Sequence, residues 1–166
     1  MRANFGDQSS SGIPSVVLGA GLAGGIAEIV WVGLVGSQAS GGAGEVARQV
    51  TATLLPGAGT LPVAPFAGVV IHLLLSVLLA LVFWRLAWRP FAAHLKPVEA
   101  GLCGLGSLAV VWLVNFIVVL PALNPAFATL LPLWATLISK LLFGAAMTVV
   151  LLTSDDRRRA ASLFMV

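Results

Sequence analysis

Charged side chains are scarce in this chain: Asp, Glu, Lys and Arg together make up 9% of its 166 residues, while 59% are hydrophobic. Soluble domains carry about 25% charged residues, because water must be offered a polar surface. The scarcity excludes an ordinary water-exposed globule and makes lipid the expected solvent. Cysteine is limited to Cys103, which excludes an intrachain disulfide and any Cys-x-x-Cys metal or haem-attachment motif. A small packing residue is its expected role. Histidine is limited to His72 and His94, and His94 falls in a basic connection between apolar stretches, so a haem held between two buried histidines is not expected. The chain lacks a Gly-x-x-x-x-Gly-Lys-Ser/Thr loop, a His-Glu-x-x-His pair and a nucleophile elbow. No catalytic site of its own, no metal and no resident cofactor are therefore expected.

What is present is a set of four apolar stretches, at about 13–36, 66–87, 98–120 and 131–152. Each holds roughly 20 residues, enough at a 1.5 Å rise to cross a hydrocarbon layer about 30 Å thick. The expected fold is all-α, a polytopic membrane protein whose four transmembrane helices form one bundle. Residues 1–12 read as a flexible arm and 153–166 as a basic tail, both cytoplasmic. Ser37, Gln38 and Ala39 loosely resemble a signal-peptidase site. The length of the first stretch, Glu28 within it and the distance of Arg2 argue against cleavage there. Between the first two spans, Val46, Val50 and Leu54 recur every four residues opposite Glu45, Arg48 and Gln49, the pattern of a short helix at about 45–55 lying in the membrane interface.

The net charge of +3 does not point to nucleic acid, because the basic residues flank the apolar stretches instead of forming a patch. They read as topology signals. One side collects seven, Arg2, Arg85, Arg89, Lys96, Arg157, Arg158 and Arg159, and the other only Arg48. The richer side is expected to be cytoplasmic, which puts both termini there, in a bacterial inner membrane. Trp84 and Trp88 beside Arg85 and Arg89 are expected to anchor that interface together with the terminal arginines, and Trp134 the opposite one.

Two halves of the chain read alike. The run from Ala20 to Gly24, Ala-Gly-Leu-Ala-Gly, returns from Ala100 to Gly104 as Ala-Gly-Leu-Cys-Gly, and the Thr-Leu-Leu-Pro that ends at Pro56 returns ending at Pro132. Gly68, His72, Ser76 and Ala80 match Thr136, Lys140, Gly144 and Thr148 in spacing, which makes His72 and Lys140 equivalent. A unit of two spans enters the membrane the same way each time, so the expected repeats are parallel. Gly21, Gly24, Gly25, Gly68, Ser76, Gly104, Ser107 and Gly144 form small-residue faces on which helices can approach closely.

Each span also carries one ionisable or strongly polar residue: Glu28, His72, Asn115 and Lys140. A charge at mid-bilayer costs about 2.5–3.5 kcal/mol on insertion scales, so each needs a partner or a use. Counted from the non-cytoplasmic ends, all four fall roughly 8–14 Å deep at helical rise. One internal polar layer is expected. It either fixes helix register through a Glu28–Lys140 ion pair, or binds an ion, a proton or a small ligand such as a quinone or pigment, or meets another subunit. The leading functional expectation is an accessory or scaffolding subunit of a larger membrane complex, partnered by lipid and by other subunits or by copies of itself. The alternatives are a small oligomeric transporter or channel and a ligand-binding module.

Overall fold

The computed structural model describes residues 15–37 and 41–163, with side chains to residue 155. Helices are the only regular secondary structure among the described residues. Four segments are long and apolar enough to cross a membrane, Ser15–Gly36, Ala64–Trp88, Pro97–Leu123 and Leu133–Asp155, and they define a multi-pass helical membrane protein.

Local chemistry sets the boundaries. Helix α1 (Ser15–Gly36) is followed by Gly41 and Gly42 at φ of 91° and 69°, a left-handed turn open to glycine at little cost. The chain then enters α2 (Gly42–Leu54), three residues earlier than the sequence pattern indicates, and Pro56 stops it. Helix α3 (Ala64–Phe83) takes Pro65 in its first turn, where no amide hydrogen is needed. Helix α4 (Pro97–Val114) begins on a proline as well, and the Glu99 carboxylate accepts the Lys96 amide at 3.1 Å. Two short helices come next, α5 (Leu120–Leu123) and α6 (Pro125–Ala128), the second capped by Asn124 Oδ1 accepting from the Phe127 amide at 3.1 Å. Helix α7 (Leu133–Leu163) runs 31 residues, so much of the expected tail continues the last span as helix.

Both α3 and α4 widen near their C-terminal ends into π turns, Trp84–Trp88 and Asn115–Val119. Each lies just ahead of a proline, Pro90 or Pro121. A proline ring collides with the carbonyl four residues back and offers it no hydrogen, and a wider turn relieves both problems. The extra residue also rotates the chain beyond it. Trp88 is turned inward to 2% exposure, where its indole donates to Asp155 Oδ2 at 3.1 Å and packs on Phe83. The expectation that Trp88 anchors the interface is thereby corrected: it ties the end of α3 to α7. Trp84 keeps a cation–π partner, the Arg89 guanidinium 5.0 Å from its ring, and Arg85 is exposed. Trp134 is 58% exposed and meets Trp31 edge-on. The side chains of Arg157, Arg158 and Arg159 lie outside the described residues, as do residues 1–14.

Helix α7 packs along both α1 and α4, α1 packs on α3, and α2 lies on α3, but α3 and α4 hardly touch. The small residues explain the close approaches. A Cβ on Gly21 would lie 2.6 Å from the Val77 Cα, one on Gly25 2.6 Å from Ser76 Oγ, and one on Gly24 2.9 Å from the Phe143 ring. Gly104 and Gly144 face one another across α4 and α7, and a Cβ on Gly104 would collide with Thr148 Oγ1. Gly68 serves a different neighbour from the expected one: it faces the Ala47 carbonyl and Thr51, so it seats α2, not another span. Ser107 is only partly buried on α4. The apolar core, with Val17, Leu108, Phe143, Met147 and Leu151 almost wholly buried, fills the half of the bundle that contains Trp88. The other half is hollow.

Candidate functional site

In the hollow half, Glu28 on α1 is 3% exposed. Lys140 on α7 reaches its carboxylate from across the interface, with Nζ 2.8 Å from Oε1 and 2.9 Å from Oε2. Ser139 Oγ donates to Oε1 at 2.8 Å. His72 Nε2 on α3 stands 3.6 Å from Oε2, beyond hydrogen-bond length, and this buried nitrogen has no hydrogen-bond partner. Three helices therefore converge on one carboxylate. A buried charge is tolerable only with an opposite charge and filled hydrogen-bond positions, and Glu28 has both.

The structure brings together Glu28, His72 and Lys140 as the sequence indicates. Asn115 lines the same cavity but makes no side-chain hydrogen bond to any described residue. It begins the π turn of α4, with its carbonyl accepting from the Leu120 amide. Ser139 is the member that the sequence pattern conceals, because stripes of four-residue steps through Lys140 skip its neighbour. A combined three-and-four spacing would have found it: Thr136, Ser139, Lys140 and Phe143 occupy one helix face. Ser76, on the stripe with His72, spends its hydroxyl on the His72 carbonyl at 2.7 Å and stays out of the cluster.

This cluster forms part of the wall of a cavity of about 630 Å³. The rest is mainly apolar, from Val32, Val69, Leu79, Phe116, Leu120 and Leu131 among others. The cavity exists because α3 and α4 part, so its side faces the space between them. Helix α2 covers it, with the stripe Val46, Val50 and Leu54 turned toward the hollow. Several bonds hold this cover. Asn124 Nδ2 donates to Gln49 Oε1 at 2.9 Å and to Thr53 Oγ1 at 3.0 Å, and Thr51 Oγ1 donates to the Ala64 carbonyl at 2.6 Å. Arg48 donates to the carbonyls of Gly59 and Leu61 at 3.2 and 3.3 Å and pairs with Glu45 at 3.3 Å. Arg48 is thus committed to holding the loop after α2.

No group of three or more His, Cys, Asp or Glu side chains suited to a metal ion occurs among the described residues. His94 sits exposed in the short turn Ala92–His94, separate from His72. No protein-family model, curated protein or solved structure matches the chain.

Proposed function

We propose that this protein is a membrane module that binds a small, membrane-borne ligand in the cavity between α3 and α4. One observation carries the reading: a mostly apolar cavity of about 630 Å³ is bordered by a convergent Glu28–Lys140–His72 cluster. Pockets for small molecules combine apolar walls with a few placed polar groups, at volumes of roughly 300–1,000 Å³. A layer that served register alone would be expected to pack solid around its ion pair, as the other half of the bundle packs around Leu108, Met147 and Leu151.

Gentle extraction of the protein from its native membrane, with mass spectrometry of the solvent extract, tests the proposal. A specific small molecule should co-purify with the natural chain and be lost from Val119→Trp, in which an indole grows into the cavity from a residue 37% exposed and free to accept bulk. The same bulk bilayer lipids from both proteins would sink the reading. Service as an accessory subunit of a larger complex, or as a small oligomeric transporter, remains a different use of the same bundle. A tightly retained larger protein or solute flux through liposomes would bring one of these forward.

The topology we propose places both termini in the cytoplasm of a bacterial cell and α2 at the opposite interface. An even number of spans returns the chain to its starting side, and seven basic residues mark that side against Arg48 on the other. Cysteine introduced at exposed Thr60, in the loop after α2, should react with an impermeant maleimide added outside intact inner-membrane cells, and cysteine at exposed His94 should not. The reverse pattern would invert the topology. We also propose that the bundle derives from two parallel two-helix units. Supporting this are the recurring runs Ala20–Gly24 with Ala100–Gly104 and Thr53–Pro56 with Thr129–Pro132, and the packing of α1 on α3 within one unit and of α4 on α7 within the other.

A further inference from the structure

The charges and open hydrogen-bond positions around the cavity specify the ligand further, on the basis that the cavity binds one. Glu28 and Lys140 cancel one another at 2.8 Å. With one carboxylate matched by one ammonium, the site offers no surplus charge to hold an ion, and a charged guest would have to break a pair that cannot be re-solvated cheaply. The polar capacity left over is mainly donor capacity. Lys140 carries three ammonium hydrogens, and its hydrogen bond to Glu28 Oε2 at 2.9 Å leaves donor capacity over. Asn115 contributes an amide without a partner among the described residues. An unpaired amide in a membrane span is unfavourable, and Asn115 lines the cavity.

We infer that the ligand is an uncharged amphiphile whose head carries carbonyl oxygens, which would accept hydrogen bonds from Asn115 and Lys140, and whose tail leaves between α3 and α4 into the lipid. Two kinds of molecule share that chemistry, a benzoquinone with an alkyl tail and a diacylglycerol with its ester carbonyls. The separation of α3 from α4 supplies a side passage for a tail, so such a molecule need not cross water to enter.

The test uses the full chain in phosphatidylcholine nanodiscs, titrated with decylbenzoquinone, dioctanoylglycerol, decyl phosphate and decyltrimethylammonium, reading affinity by calorimetry and stability by thermal shift. At least one of the two neutral probes should bind more tightly than either charged probe, and whichever binds tighter identifies the source of the carbonyl. Asn115→Leu should weaken that probe about 5- to 10-fold, the effect of one lost hydrogen bond. The protein should still fold, since the amide has no partner within it. A charged probe binding more tightly than both neutral ones, or unchanged affinity in Asn115→Leu, would overturn the carbonyl-head assignment and leave ligand binding standing. If no probe binds, the assignment fails, and if native extracts are also empty the ligand-binding reading fails with it.

Discussion

Replacing Lys140 with methionine should lower the unfolding free energy of the protein in bicelles by about 3–5 kcal/mol, the usual result of leaving one member of a buried ion pair alone. The carboxylate of Glu28 is 3% exposed and would keep only the Ser139 hydroxyl as a firm partner. Methionine fills much the same space, so packing loss adds little. Adding Glu28→Gln to the same chain should recover most of the loss, because an amide without a charge opposite it is far cheaper to bury. The double substitution separates the effect of an orphaned charge from that of a missing contact. Unfolding titrations with a denaturing detergent, monitored by circular dichroism, would measure both. A loss below about 1 kcal/mol for Lys140→Met would show a pair as weak as those on water-exposed surfaces, and would mean that the cluster is hydrated.

The second large effect is expected at Gly21. A side chain there has only backbone to push against: Val77 Cα at 2.6 Å, with the Ser76 carbonyl and the Val77 nitrogen both at 3.0 Å. Gly21→Val should force α1 and α3 apart and destabilise the bundle by about 1–3 kcal/mol through overpacking. Gly106 is the contrast, since nothing lies within 4 Å of the position its Cβ would take. There, Gly106→Ala should stabilise the helix by about 0.5–1 kcal/mol, because alanine loses less backbone freedom than glycine. Opposite signs from two glycine substitutions in the same protein, read in the same titration, would establish the α1–α3 crossing. Equal and small effects would place α1 elsewhere.

The parts of this architecture that were legible in the sequence are those in which lipid itself sets the rule. Spans must be long and apolar, so all four could be read directly, and their boundaries fell where Pro65, Pro97 and the glycines after α1 cut the pattern. Ionisable groups in lipid need partners, so Glu28, His72 and Lys140 could be grouped from depth and helical phase alone. What stayed hidden depends on which neighbour a face meets. Gly68 presents a small surface whether a span or α2 lies opposite, and the sequence does not distinguish the two. Trp88 beside two arginines has the composition of an interfacial anchor, and only the extra residue of a π turn carries it inward to Asp155. Asn115 lines the same cavity as Glu28, His72 and Lys140, but it begins the π turn before Pro121 and makes no side-chain hydrogen bond to any described residue. The cavity was hidden as well. Four similar amphipathic faces imply a closed ring of contacts, whereas α3 and α4 stand apart and α2 roofs the gap.

The locking of Lys140 onto both oxygens of Glu28 also bears on how the protein meets an electric field. One elementary charge moved through 100 mV of membrane potential exchanges about 2.3 kcal/mol with that potential, which is how voltage sensors do their work. Here opposite charges lie within 2.9 Å of each other and travel together. Any shift of α1 and α7 as a pair displaces almost no net charge. An energised membrane should therefore leave the occupancy of the cavity unchanged, and lowering the voltage with an ionophore should neither load nor empty it.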